Sequence, residues 1–384
     1  MEDLRDLLRN AARYVPFYRE HWRASGVDFD ALEQSPSLAA VPIVYKRDLL
    51  ASAAQDRLDK RHTSRNLARE KTSGSSGEPF EMTFSRLSNL RRKTRFLRAL
   101  WAVGYRPGNR MMLISSRHFS AKARALGWIY VDLRNGEAQL ASAYQQHRPD
   151  VLYGPLSSLL ALSDQLRDEP NLHRPRVVIS TAEALGDAQR STLRSRFCDN
   201  VADFYGMSEF GLLAWRAGSE STYHTLHNDF VLEFAPSDFD ATLERLIVTD
   251  LRSQTAPLIR YDTGDLVRRD HSRPEKPILN FIGREVDCIR LPDGRRISPY
   301  RFTMSMEEIP EIDRYQIVQQ PNWALDVYVH TLLPDAASAL TRAREAIDAV
   351  CEGALPITVH RLDAPPAAIA GKVRPVRSLI RGGP

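Results

Sequence analysis

A short segment rich in serine and glycine could bind phosphate. It reads TSGSSGEP, from Thr72 to Pro79, and contains two glycines and four hydroxyl-bearing residues. A phosphate-binding loop needs backbone N–H groups that point inward, and glycine lets the backbone approach the ligand closely. The segment is not a Walker A loop, because Glu78 stands where that motif has its lysine. It is a candidate phosphate loop of another kind, and a plain turn is the alternative.

Four further motifs follow this loop along the chain: YGMSE (205–209), RYDTGDL (260–266), IGREVDCI (282–289) and GKVR (371–374). Three of them have an ordinary interpretation when taken alone: YGMSE as a strand-to-helix turn, RYDTGDL as a tight turn and GKVR as part of a basic tail. Together, in this order, the five motifs resemble those of the adenylate-forming superfamily of acyl-CoA ligases, adenylation domains and luciferases. The segments ARYVPFYRE (12–20) and LAAVPIVYKRDLL (38–50) resemble its phenylacetate–CoA ligase-like and capsule-biosynthesis-type branch.

The resemblance implies a ligase reaction that depends on ATP. A carboxylate is a poor electrophile, and its attack on the α-phosphate of ATP gives an acyl adenylate with AMP as a good leaving group. Pyrophosphate is released in this step. Because an anion must approach a polyanion, the site needs positive charge, a metal ion and preorganised hydrogen-bond donors.

The resemblance also implies roles for the residues around the nucleoside. Tyr205 would stack on adenine, and Gly206 would let the ring lie against the backbone. Asp265 would accept hydrogen bonds from both ribose hydroxyls, which suits a carboxylate, and Arg284 would be a second ribose or phosphate contact. Glu183 lies in STAEAL (180–185), which resembles the segment lining the adenine pocket, although Thr181 and Ala182 replace the usual glycines.

The phosphates and the reacting groups would be held by three segments. Ser208 would contact phosphate, and Glu209 would bind the Mg²⁺ that bridges phosphate oxygens. Lys372 would reach from the C-terminal domain to bridge the substrate carboxylate and the α-phosphate. The β- and γ-phosphates would be held by the candidate loop, through Thr72, Ser73, Gly74, Ser75, Ser76 and Gly77.

The acyl acceptor is less defined than the adenylation step. CoA is the leading prediction, and a carrier protein or an amine is the alternative. In the family a small domain rotates about an aspartate two positions after Gly-Arg, but here that position is Val286 and Asp287 follows it. Two other classes stay open: a catalytically silent nucleotide-binding regulator, and a kinase that would release ADP.

The elements that must position these residues predict an α/β fold. Six short apolar runs between residues 110 and 251 are typical of strands, and the segments 155–166 and 187–197 between them are typical of helices. Strands that alternate with helices favour a layered arrangement with a parallel sheet. After residue 282 the pattern predicts a hairpin at Asp293-Gly294, paired strands and one helix. We therefore predict a large domain over 1–282 and a small mobile α+β domain over 283–384.

Composition excludes several classes of protein. The chain has 384 residues, a formal charge of +5 and three distant cysteines, which predicts a cytoplasmic protein without a disulfide framework. No nucleic-acid-binding signature and no apolar run of membrane length is present. His224 and His227 lack further ligands for a metal site. Cys351 could carry an acyl thioester, although its place on a helical face favours burial.

Two predictions concern apolar side chains. In the predicted basic helix 86–103, the spacing of Leu90, Leu97 and Trp101 indicates one buried stripe with a charged outer face. The pocket for the acid is expected between the sheet and the adenine site. Aromatic walls there would suit an aromatic or planar acid, and core packing is the alternative; the residues are Trp101, Phe119, Trp128, Tyr130, Tyr153, Phe204 and Phe210.

Overall fold

The structure is a computed structural model. It describes residues 2–62, 67–71, 81–116, 127–218, 220–238, 240–333, 335–366 and 374–380. The chain begins with four helices, α1 Glu2–Tyr14, α2 Pro16–Ala24, α3 Phe29–Gln34 and α4 Lys46–Leu50. The predicted apolar face of α1 is buried at Leu7, Leu8 and Ala11. This face packs in one core with strands from the middle of the chain.

A hairpin and a long helix follow. Strands β1 Leu67–Lys71 and β2 Glu81–Ser85 are antiparallel and flank the candidate phosphate loop. Helix α5 runs over Arg86–Ala102, as predicted. It begins at Ser85, whose hydroxyl accepts a hydrogen bond from the backbone N–H of Ser88, an N-cap that satisfies one of the unpaired N–H groups of the first turn.

A seven-stranded sheet forms the centre of the large α/β part, in the order β4-β3-β5-β6-β7-β8-β9. The first five strands in that order are parallel, and the last two are antiparallel additions. The strands are β3 Met111–Ser115, β4 Ile129–Asp132, β5 Val151–Pro155, β6 Val177–Thr181, β7 Val201–Met207, β8 Gly211–Arg216 and β9 His224–Thr225; the intervening helices are α6 Leu140–His147, α7 Leu156–Gln165 and α8 Asp187–Arg196.

Both faces of this sheet are covered, which is why its strands are continuous apolar runs. Met112 and Ile114 point to the core that contains α6, α7 and α8. Met111 and Leu113 point to the opposite core, which contains Ala99 and Leu100 of α5. This layered arrangement confirms the predicted fold class.

A second sheet is antiparallel and has the order β10-β11-β12-β13. Its strands are β10 Phe230–Pro236, β11 Glu244–Asp250, β12 Tyr261–Arg269 and β13 Ile278–Arg284. The last of the six predicted strands, β11, belongs here and not to the parallel sheet. The pattern of the sequence could not show this change of sheet, because both sheets bury apolar strands.

The C-terminal part forms two small sheets around its own core. The hairpin at Asp293-Gly294 joins the two short strands β14 and β15, as predicted. The larger sheet has the order β18-β17-β16-β19 and packs against two helices. The elements are β14 Ile289–Arg290, β15 Arg296–Ile297, α9 Pro299–Glu307, β16 Arg314–Gln319, β17 Leu325–His330, α10 Ala337–Cys351, β18 Ile357–Leu362 and β19 Val376–Ser378. The boundary at residue 283 stays a prediction.

The predicted buried stripe of α5 is wrong. Leu90 is 57% exposed and Trp101 is 53% exposed, whereas Arg95 is 2% exposed. The Arg95 guanidinium pairs with Asp250 at 3.0 Å and lies 4.2 Å above the Phe230 ring. Because this acidic partner neutralises a buried arginine, the helix turns a partly polar face inward, and the apolar spacing indicated the wrong face.

No helix in the described ranges is both long enough and apolar enough to cross a membrane.

Candidate nucleotide-binding site

Two of the predicted residues, Glu183 and Ser208, lie at one edge of the parallel sheet. Strands β5, β6 and β7 are parallel neighbours, so their carboxyl ends meet at the same edge. Glu183 lies just after β6, and Ser208 lies just after β7. In open α/β sheets ligands bind in the crevice beyond the carboxyl ends of the strands. This edge is therefore the expected place for the nucleotide.

Several predicted residues lie outside the described residues, so the structure says nothing of them. They are Lys372 and the loop residues Thr72, Ser73, Gly74, Ser75, Ser76 and Gly77, together with Phe119 of the predicted acid pocket.

Tyr205, Asp265 and Arg284 form a connected group. The Tyr205 hydroxyl donates to Asp265 Oδ2 at 2.5 Å, and Arg284 Nε lies 3.3 Å from Asp265 Oδ1. Asp265 and Arg284 are opposite each other on β12 and β13, whereas Tyr205 belongs to β7. The group therefore joins the two sheets at the site.

Burial controls the protonation of this group. Burial, and then the neighbouring Asp265, raise the pKa of Tyr205 well above its usual value, so the phenol keeps its proton and donates. Burial opposes the charge of Arg284, but its negative neighbours, above all Asp265 and then Glu209, outweigh burial, and the pKa of Arg284 is raised. Arg284 therefore stays cationic, and its interaction with Glu209 puts that carboxylate in the same site.

One face of the Tyr205 ring is stacked against another aromatic ring. The Phe281 ring lies 3.5 Å from it, centroid to centroid, at an interplanar angle of 12°. The rings of Phe281 and Tyr223 form an edge-to-face pair with centroids 4.8 Å apart, and the Tyr223 hydroxyl donates to the buried Asp203. One face of Tyr205 is thus covered, so only the opposite face can stack on a planar ligand.

The YGMSE motif forms a hairpin, not the strand-to-helix turn of the ordinary interpretation. Gly206 is needed for this hairpin, because a Cβ there would lie 2.7 Å from the Gly211 carbonyl oxygen. The turn at Ser208 is held by Arg92, whose Nη2 donates to the Ser208 carbonyl oxygen at 3.0 Å. The close approach at Gly206 is a structural reason for glycine that does not depend on a ligand.

Glu209 fits a magnesium ligand in its chemistry. It lies half-buried in this turn, and within the described ranges its carboxylate forms no hydrogen bond or ion pair. Mg²⁺ in nucleotide sites prefers one or two carboxylates together with phosphate oxygens and water. No group of three or more His, Cys, Asp or Glu side chains with metal-site geometry occurs among the described residues, so a single protein carboxylate plus phosphates is the arrangement that fits.

Glu183 binds a helix end in this structure. Its two carboxylate oxygens accept from the backbone N–H and the hydroxyl of Ser157, each at 2.8 Å, in the first turn of α7. A carboxylate is favourable at that end of a helix. Ala182 has a φ of 71°, in the left-handed region where glycine is usual. The backbone therefore keeps the turn that glycines normally permit, although the glycines are absent.

In the predicted hinge region, the buried acidic side chain is that of Asp287. Its Oδ1 accepts from Arg374 Nη1 at 3.0 Å, whereas Val286 is 58% exposed. Burial raises the pKa of Asp287, and Arg374 and Arg284 act in the opposite direction. Asp265, Arg284, Asp287 and Arg374 thus form a row of alternating charges from the second sheet to the segment that follows Lys372.

The aromatic residues predicted for the acid pocket mostly pack against one another. Trp128, Tyr153 and Phe204 surround Phe96 in edge-to-face contacts, and Phe210 belongs to a different core with Tyr261. Tyr130 donates its hydroxyl to the Ser115 carbonyl. Trp101 is exposed. Core packing is thus the interpretation that the described aromatic residues favour.

Two minor hypotheses are not favoured. His224 lies 2.7 Å from Glu220 and 3.1 Å from Lys276 Nζ, which are the contacts of a surface ion-pair cluster. Cys351 is fully buried, and burial raises its pKa to about 12, so it is a protonated thiol. A buried thiol of this kind is a poor nucleophile.

Sequence reasoning missed three residues of the site, Phe281, Arg92 and Arg374. Phe281 stands three positions before Arg284 in an ordinary strand, which carries no signal of its own. Arg92 is one of six basic residues in α5. The only signal for it is its spacing of three residues from Arg95, which puts both side chains on the inner face of the helix. Arg374 follows Lys372 by two residues and could have been read from the motif.

Comparisons with known proteins agree with these motifs. No family model matches the chain. The phenylacetate–coenzyme A ligase of Pseudomonas putida is 24% identical over 371 residues, covering 87% of this chain and 81% of that protein. The phenylacetate–coenzyme A ligase of Thermus thermophilus is 25% identical over 359 residues, covering 85% and 78%.

Solved structures show the same fold. A 2-hydroxyisobutyryl-CoA ligase in the postadenylation state, in complex with 2-HIB-AMP, superposes with a TM-score of 0.77 at 18% identity, covering 99% of this chain and 88% of that one. The same ligase in the thioesterification state gives 0.60 at 19% identity, covering 98% and 88%. The chain is therefore similar in sequence to phenylacetate–coenzyme A ligases and has the fold of solved adenylate-forming CoA ligases, in agreement with the resemblance of its five motifs.

Proposed function

We propose that this protein activates a carboxylic acid with ATP, forms acyl-AMP with release of pyrophosphate, and transfers the acyl group to CoA. The observation that carries the proposal is the group of Tyr205, Asp265 and Arg284 at the carboxyl edge of the sheet. Its relatives named phenylacetate–coenzyme A ligase cover most of the chain. The proposed compartment is the cytoplasm.

Asp265 is suited to hold the ribose. Each of its carboxylate oxygens has two lone pairs. Tyr205 donates to one oxygen, and Arg284 lies beside the other. A carboxylate with two acceptor oxygens matches the two neighbouring hydroxyls of a ribose. Because Tyr205 and Arg284 fix the carboxylate in place, the ribose meets an acceptor that needs no reorganisation.

Adenine is assigned to the face of Tyr205 that lies opposite Phe281. A stacked aromatic pair behind the base keeps the accepting ring from turning. Glu209 is assigned to Mg²⁺, which when bound would neutralise phosphate charge and orient the phosphates for in-line attack. Ser208 is assigned to phosphate, and Glu183 to the edge of the adenine pocket, next to the end of α7.

Lys372 is assigned to the reacting atoms. A primary ammonium has a compact charge that can lie between two anions, which is what the approach of carboxylate to α-phosphate requires. Arg374, two residues later, is held by Asp287 beside Arg284. This contact supports a tail that lies near the ribose group, and the glycine-rich loop 72–77 is assigned to the β- and γ-phosphates.

The experiment that tests the proposal follows all products. Purified protein is incubated with ATP, Mg²⁺, CoA and a panel of aromatic and aliphatic acids, and nucleotides and thioesters are identified by mass. We expect AMP, pyrophosphate and an acyl-CoA with at least one acid. ADP as product would indicate a kinase, and ATP binding without any product would indicate a silent regulator.

The acceptor is tested in the same reaction. If acyl-AMP accumulates and CoA does not consume it, then carrier proteins and amines are added in place of CoA. Consumption of acyl-AMP by one of these, and not by CoA, would contradict the assigned acceptor while leaving the adenylation step intact.

A further inference from the structure

The candidate phosphate loop carries no positive charge. Between Thr72 and Pro79 the only ionisable residue is Glu78, which stands where a Walker A loop has its lysine. The β- and γ-phosphates of ATP carry several negative charges, and their release as pyrophosphate needs compensating cations. Besides the Mg²⁺ assigned to Glu209, any cationic side chain for this end of the nucleotide must therefore come from outside the loop.

Arg92 on α5 lies between the strand that precedes the loop and the turn that carries Ser208 and Glu209. Its Nη1 lies 3.3 Å from Glu70 Oε2, and Glu70 is two residues before the loop. Its Nη2 donates to the carbonyl oxygen of Ser208 at 3.0 Å. The guanidinium thus touches the strand that enters the loop and the turn that carries Ser208 and Glu209.

The guanidinium is held in this position by packing. It lies 4.0 Å from the centroid of the Phe84 ring, and its side chain is only 13% exposed. A Cβ on residue 211 would lie 3.2 Å from Arg92 Nε, and Gly211 leaves that space open. A planar, permanently charged group fixed in this way is well suited to bind phosphate oxygens.

We propose that Arg92 binds the β- and γ-phosphates of ATP, as the cation that the glycine loop lacks. Glu70 is then its partner while no nucleotide is bound, and phosphate takes the place of that carboxylate. The exchange is favourable because Glu70 is 43% exposed and such pairs are weak. This inference rests on the proposed function, since it requires ATP at this edge of the sheet.

Binding measurements test the proposed role of Arg92 independently of turnover. Dissociation constants for ATP, pyrophosphate and AMP are measured by calorimetry for the wild type, Arg92→Gln, Arg92→Lys and the exposed neighbour Lys93→Gln. We expect Arg92→Gln to weaken ATP and pyrophosphate about tenfold or more, and to leave AMP within about twofold, because AMP lacks both phosphates. Arg92→Lys should weaken the binding of ATP and pyrophosphate less than Arg92→Gln, and Lys93→Gln should leave it unchanged.

Several outcomes would overturn the proposal. Equal losses for ATP and AMP would show that Arg92 only supports the fold of the site, and unchanged ATP affinity would remove it from the site. Should Arg92→Gln fail to fold, Glu70→Gln gives the second test: ATP should bind more tightly and AMP equally, and unchanged ATP affinity contradicts the exchange. A wild type that binds ATP but makes no acyl-AMP would refute the proposed function and leave this test readable.

Discussion

At the scale of residues, sequence motifs identify chemical types but not their contacts. The motif RYDTGDL predicts a carboxylate for ribose, and Asp265 is indeed buried beside the site. The motif does not predict that Tyr205 and Arg284 each engage one oxygen of that carboxylate. Such contacts depend on the approach of two sheets that are far apart in sequence, which no local pattern encodes.

Asp265→Ala should weaken nucleotide binding. The change removes the proposed acceptor for the ribose and the ion pair with the half-buried Arg284, so we expect the dissociation constants for ATP and AMP to rise together, about tenfold or more. Calorimetry with both nucleotides measures this, and thermal unfolding checks that the variant is folded. Pyrophosphate, which lacks ribose, is the control ligand and should bind as before. Unchanged affinity for AMP would remove the ribose assignment.

At the scale of elements, the periodicity of apolar residues predicts whether a helix or a strand forms better than it predicts which face of that element is buried. The strands at 110–116, 127–133, 150–154, 176–181 and 201–206 and the helices at 155–166 and 187–197 are confirmed, because long apolar runs and helical spacing are strong local signals. Helix α5 is confirmed as a helix, but its inner face is wrong. The pairing of Arg95 with Asp250 decides that face, and a tertiary ion pair has no signature in the helix sequence.

A matched pair of substitutions on α5 tests this orientation. Leu100→Ala should lower the free energy of unfolding by about 2–5 kcal/mol, because Leu100 is fully buried and the change leaves a cavity. Leu90→Ala makes the same chemical change at a position that is 57% exposed, and should cost less than about 0.5 kcal/mol. Denaturant unfolding measures both. A larger loss at Leu90 would restore the orientation that the sequence predicted.

At the scale of the whole molecule, a row of charges links the second sheet to the tail. Arg284 ends β13, Asp287 lies three residues later, and Arg374 follows the GK of the last motif. The sequence has Val286 at the usual position of the hinge aspartate and Asp287 one place later. It could not show that Asp287 is buried, because burial depends on the packing of β19 against this turn.

A double-mutant cycle measures whether Asp287 and Arg374 support each other. Each single change to alanine already removes this ion pair, so the double variant should be more stable than the sum of the single losses predicts. We expect a coupling energy of about 1 kcal/mol, measured by denaturant unfolding. Strictly additive losses would mean that the ion pair at 3.0 Å contributes nothing to holding the tail.

The most direct test of adenylation is the exchange of labelled pyrophosphate into ATP, run with the acid panel on wild type and on Lys372→Ala. We predict exchange that requires a carboxylic acid in the wild type, and a loss of about 100-fold or more in Lys372→Ala, with the dissociation constant for ATP within about threefold. Exchange that needs no acid, or a variant that exchanges as fast as the wild type, would contradict the account.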